Sequence, residues 1–213
     1  MKPRRNLSET VFPSFFKFRI ISGVLILSLA ITTIQPNVSA SADYPLRKGA
    51  TNVGFGISVG PGLHIFGSLE SHDLAFGWVG WGKVLTDEIA AGHWYGGNLE
   101  FWAELFGGAQ YDPEWRYLAG ITPFIRYNFI TGGLLVPFID AGVGPTLTDI
   151  EKPDLCGNFQ FNIRGGGGVH YFMTKERAWT LQAQYFHLSN AGTRSPNNGL
   201  NSLQIELGME WFF

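Results

Sequence analysis

Residues 203–213 constrain the fold more than any other stretch of this chain. Leu203, Ile205, Leu207, Met209, Trp211 and Phe213 fall on one side of a period-2 pattern, and Gln204, Glu206, Gly208, Glu210 and Phe212 on the other. An apolar outer face opposite buried charges is inverted relative to a soluble protein. A bilayer surrounding a closed barrel with a polar interior rewards that inversion, and one strand needs about 9–11 residues to cross it.

The composition fits short strands. The 213 residues include 28 Gly, 7 Trp, 7 Tyr and 18 Phe, a mixture that reads as all-β. A net charge of −2, with no Lys/Arg patch among the aromatics beyond the first 42 residues, sets a nucleic-acid partner aside. Cys156 is the single cysteine, so an intramolecular disulfide and a zinc–thiolate cluster are both excluded, and the thiol is expected in a loop. His64, His72 and His93 fall in connections without metal-ligand spacing, and His170 falls on an inner face. All four read as ordinary hydrogen-bonded histidines, and neither metal nor cofactor is expected.

At the start of the chain, Lys2, Arg4, Arg5, Lys17 and Arg19 precede an apolar run over 20–31, and Ala40-Ser41-Ala42 stands just before Asp43. That order is a secretory signal peptide, and the run is shorter than the roughly 20 residues of a membrane helix. Residues 1–42 are therefore expected to be the signal peptide and 43–213 the barrel domain. No later stretch approaches a membrane helix, so an integral protein of this sequence must cross with strands.

Period-2 segments recur at roughly 51–60, 72–82, 98–108, 117–129, 135–147, 158–171, 178–189 and 201–213. They predict an eight-stranded antiparallel transmembrane β-barrel. Residues 60–71 read either as a loop or as an extra short strand. The inner faces would hold Glu100, Glu104, Arg126, Asp140, Arg164, Glu206 and Glu210. Eight strands enclose only enough room for side chains, so these charges should pair in a network and not line a pore.

With both termini on the periplasmic side, the connection between the last two strands faces the outside of the cell. Strand parity puts His187 and Ser189 on the lipid face beside Trp179, Leu181, Ala183 and Tyr185. Residues two apart on a strand lie about 6.6 Å apart, so a histidine leaning along the strand can reach a serine hydroxyl. Asn201 has the matching parity on the last strand and is expected opposite His187. Nucleophilic catalysis follows as one reading: Ser189 attacks an ester carbonyl, His187 takes its proton, and a third group fixes the imidazole tautomer. Asn190, Asn197 and the amides around Gly192 are candidates to stabilise the oxyanion. The bland reading is a set of interfacial polar residues before a loop.

The stretch His187-Leu188-Ser189-Asn190-Ala191-Gly192, followed by Pro196-Asn197 and Gly199, resembles the signature of the lipid A 3-O-deacylase (PagL) family of outer-membrane barrel esterases. The resemblance implies cofactor-free hydrolysis of the ester-linked 3-O-acyl chain of lipid A in lipopolysaccharide, with Ser189 as nucleophile and His187 as base. It implies residence in the outer membrane of a Gram-negative cell as a multi-pass β-barrel. The partners it implies are lipopolysaccharide and the outer-membrane barrel assembly machinery, whose signal the aromatic terminal strand resembles, with a homodimer as the self-association to test. One departure stands out: where the family carries a Glu as third triad member, this chain has Asn201. The alternative expectation is accordingly a non-catalytic structural or surface-binding barrel.

Overall fold

The computed structural model describes residues 45–213, so the expected signal peptide lies outside the described residues. The alternating segments become β1 (Thr51–Gly60), β2 (Asp73–Val84), β3 (Gly97–Asp112), β4 (Arg116–Phe129), β5 (Leu135–Thr148), β6 (Phe159–Thr174), β7 (Arg177–Ser189) and β8 (Leu200–Phe212). Each pairs antiparallel with its sequence neighbour, and β1 pairs with β8 from Asn52↔Phe212 to Val59↔Ile205, which closes the barrel. Closure leaves no strand edge, the condition for crossing lipid with strands. Gly60 closes β1 and residues 61–72 are a loop; its one strand-like contact is an isolated bridge from Gly62 to Ser202. Strand β3 runs further than its sequence pattern indicated, to Asp112.

Outward positions are apolar and exposed on every strand, with Ile57, Leu105, Ile139, Ile163 and Leu207 among them. Ile57 keeps 65% of its surface accessible, the inverse of a soluble strand. The interior is packed with side chains. Arg164 donates to Glu104, Glu206 and Gln184, with 2.7 Å to Glu206, while Arg126 reaches Asp140 at 3.2 Å and Glu210 at 3.5 Å. The guanidinium of Arg164 also lies over the rings of Phe76, Phe106, Phe124 and Phe186 at 5.1–5.9 Å. The inward glycines of the first, second and last strands make room for two indoles. A Cβ at Gly56 or Gly208 would stand 2.4 Å from the Trp78 ring, and one at Gly80 would stand 2.1 Å from that of Trp102. Trp102 is therefore an interior packing residue, whereas Trp94 and Trp115 stand exposed in connections at opposite ends of the barrel.

Removing one member of a buried ionic network strands the others. Arg164→Met is expected to lower unfolding stability in lipid vesicles by about 3–5 kcal/mol, because Glu104 and Glu206 would lose their shared cation. The triple variant with Glu104→Leu and Glu206→Leu should recover most of that loss. Urea titration followed by tryptophan fluorescence measures both.

Candidate active site

Four connections gather at the end of the barrel opposite the termini, and the outer face of β7 rises toward them carrying Tyr185, His187 and Ser189. The strand register sets Asn201 of β8 opposite His187 on one side and Ile163 of β6 on the other, with Phe161 opposite Ser189. His187 Nδ1 lies 2.8 Å from Asn201 Oδ1, and Tyr185 donates its hydroxyl to the same oxygen. The Tyr185 ring lies nearly parallel to that of His187, at 16° between planes. Gly199 lies against the Cε1 edge of the imidazole. A Cβ there would come within 2.7 Å of His187 Cε1, and its φ of +80° favours glycine independently.

One part of the sequence reading is corrected. His187 and Ser189 are half-buried on the outer face, but Asn201 is fully buried and offers no surface to lipid. The β1–β2 connection folds over it: Leu63 N–H donates to the Asn201 carbonyl at 2.8 Å, and Asn201 Nδ2 donates to the Ile65 carbonyl at 2.8 Å. The Ser189 hydroxyl has no hydrogen-bond partner among the described residues, and catalytic contacts of this kind commonly tighten only when substrate binds.

The β7–β8 connection turns through Ala191 and Gly192, whose φ values are +54° and +76°. Asn190 is buried and holds this turn. Its Nδ2 donates to the carbonyls of Cys156 and Arg194 at 3.3 and 3.1 Å, and its backbone N–H donates to Asn197 Oδ1 at 2.8 Å. The structure thus gives Asn190 a loop-forming job in place of the oxyanion contact considered from sequence. The amides of Ala191 and Gly192 and the Asn197 side-chain nitrogen have no partner among the described residues. They are the unpaired donors of this turn among the described residues.

Sequence reasoning missed the group that ties the loops together. Asp154, buried in the β5–β6 connection, accepts from the Leu69 and Glu70 amides at 2.7 and 2.9 Å and lies 2.9 Å from His72 Nε2. Its backbone carbonyl accepts from the Asn198 amide at 2.9 Å and the Gly199 amide at 3.3 Å. His72 Nδ1 meets Gln110 Oε1 at 2.7 Å, extending the clamp to β3. One aspartate therefore connects three of the four connections at this end. Burial alone would raise its pKa, but the Leu69 amide, His72 and the Glu70 amide outweigh that and hold it below the usual carboxylate value. Among the described residues no group of His, Cys, Asp and Glu side chains gathers as a metal site.

The family model described as Lipid A 3-O-deacylase (PagL) matches residues 71–210, more than half of the chain. Lipid A deacylase PagL of Pseudomonas aeruginosa is 26% identical over 128 residues, which cover 59% of this chain and 67% of that protein. Lipid A deacylase PagL of Bordetella bronchiseptica is 31% identical over 129 residues, covering 59% of this chain and 62% of that protein. The crystal structure of the outer membrane enzyme PagL superposes with a TM-score of 0.56 at 19% identity, over 74% of this chain and 97% of that one, a likeness of fold.

Acid should open the clamp. A carboxylate whose folded pKa lies below its unfolded value contributes fully above about pH 3.9 and loses that contribution as pH falls through the lower folded value. Limited proteolysis within residues 61–72 should therefore stay slow from pH 7 to 5 and accelerate below about pH 3.9, while Asp154→Ala should be cut readily at every pH.

Proposed function

Because the chain belongs to the lipid A 3-O-deacylase family, we propose that it hydrolyses the ester-linked acyl chain at the 3-position of lipid A from within the outer membrane. The observation that carries this reading is the hydrogen bond from His187 Nδ1 to Asn201 Oδ1, set beside Ser189 on the face of the barrel that meets lipid. In the proposed reaction Ser189 Oγ attacks the ester carbonyl while His187 Nε2 takes its proton. The carbonyl oxygen gains negative charge, for which the Gly192 amide and the Asn197 side chain are the available donors, with Asn190 shaping the turn that presents them. Collapse breaks the ester C–O bond, and His187 returns its proton to the departing 3-hydroxyl of the sugar. Water then hydrolyses the acyl-serine by the same steps. An acyl chain already lying along Ile163, Phe161 and Tyr185 would carry its carbonyl to the height of Ser189 without leaving the membrane.

Asn201 orients the imidazole without contributing charge to an imidazolium. Exchanging the acid of a serine triad for its amide can cost about 10⁴ in rate, or about 5.4 kcal/mol of barrier. Slow turnover is therefore expected. The same residue favours the second reading, a barrel that keeps the site's geometry and serves as a structural or surface-binding protein.

Mass spectrometry of lipid A from cells expressing equal outer-membrane amounts of wild type and Ser189→Ala separates the two. The deacylase reading expects loss of one 3-O-linked hydroxyacyl chain with wild type and none with Ser189→Ala. Lipid A left intact by folded wild type would favour the surface-binding barrel.

A further inference from the structure

The Asn201 side chain is held by three different groups, and one of them has a single chemical sense. A backbone carbonyl only accepts, so the Ile65 oxygen at 2.8 Å requires the nitrogen end of the amide. The reversed amide would set oxygen against oxygen. Asn201 Oδ1 is thereby turned toward His187 and Tyr185. That oxygen has two lone pairs, and its two neighbours fill them: the Tyr185 hydroxyl donates to one and His187 Nδ1 to the other at 2.8 Å. An acceptor facing Nδ1 puts the proton of the neutral ring on Nδ1 and leaves the Nε2 lone pair free.

We infer that the Ile65 carbonyl and the Tyr185 hydroxyl are positioning groups of the active site, fixing the Asn201 amide in one orientation and, through it, His187 as the Nδ1–H tautomer. The β1–β2 connection is then part of the machinery and does more than cover it. Its place is set on both sides. Leu203 N–H and Ser202 Oγ donate to the Pro61 carbonyl at 3.1 and 2.8 Å, and Leu69 and Glu70 are held by Asp154. Ser68 N–H donates to the Ile65 carbonyl at 3.2 Å, which occupies one lone pair of that oxygen and leaves the other for Asn201 Nδ2. Phe66, at a φ of +54°, meets the Tyr185 ring edge-on and limits its swing. The arrangement also accounts for an amide at position 201. A carboxylate would offer His187 the same acceptor but would set a second oxygen against the Ile65 carbonyl, so residue 201 and this loop are matched to one another.

The inference rests on the proposed esterase for its purpose, but its test reads the imidazole directly. Protein labelled with 15N-histidine, folded in nanodiscs and held at about pH 8, gives ring-nitrogen shifts that distinguish the two tautomers, with His187→Gln assigning the signal. Wild type is expected to show Nδ1–H. A variant with residues 63–70 replaced by a Gly-Ser linker, keeping His187, Ser189 and Asn201, is expected to lose that preference, as is Asn201→Ala. If the linker variant does not fold, Asp154→Ala serves instead, by releasing the loop at Leu69 and Glu70. Tyr185→Phe, which keeps the Ile65 contact, should weaken the Nδ1–H preference without abolishing it and lower kcat about five-fold with KM unchanged, the effect of one lost hydrogen bond; an unchanged tautomer and kcat would strike Tyr185 from the positioning groups. Nδ1–H in wild type with no hydrolysis would sink the esterase and leave this inference standing. Nε2–H in wild type, or an undisturbed Nδ1–H after the loop is replaced, would overturn it.

Discussion

Lipid offers a peptide group nothing to bond with, and the ladder between β1 and β8 is where this chain meets that constraint. The seam joins Asn52 to Phe212 and Val59 to Ile205 across almost the whole described sequence, and without it two strand edges would face hydrocarbon. The same closure builds the site. The β1–β2 connection reaches Asn201 only because β1 lies beside β8, and the bond from Asn201 to Ile65 spans 136 positions of sequence.

Closure also divides the chemistry by parity. Inward positions collect Arg126 and Arg164 with their carboxylate partners, wedged among aromatic rings, into a densely packed interior. That interior is a rigid post for the outer face. Polar side chains on the outer face are tolerated only near the membrane surface, which is where His187 and Ser189 stand, at the last turns of β7. In the proposed reaction, a nucleophile there would meet a lipid ester close to the membrane surface. Asp154 gathers the surrounding connections, while the Tyr185 ring lies nearly parallel to the imidazole and Gly199 closes on its Cε1 edge.

The strands were legible because a half-lipid, half-interior strand writes its two environments into alternate residues. The register of His187 against Asn201 was legible too, since β7 and β8 are joined by one connection and each carries unambiguous parity. The burial of Asn201 was not. It depends on a loop with no periodicity, delivered from the other end of the sequence by barrel closure. Asp154 was hidden for the same reason: it sits in a turn-like stretch, and its partners come from two other connections. Asn190 resembled an oxyanion donor in the motif, but the carbonyls that claim its amide appear only once the loops are packed. Trp102 did carry a signal, because it shares parity with Glu100 and Glu104 on the inward face of β3.

The central claim is that Ser189 is an activated nucleophile on the lipid side of the barrel. The most direct measurement is covalent trapping: folded protein in vesicles is treated with a long-chain fluorophosphonate, and its peptides are examined by mass spectrometry. A single phosphonyl adduct on Ser189, absent from His187→Ala, is the expected result. An unmodified Ser189 in protein that nonetheless removes the acyl chain from lipid A, or an adduct that forms equally well without His187, would contradict it.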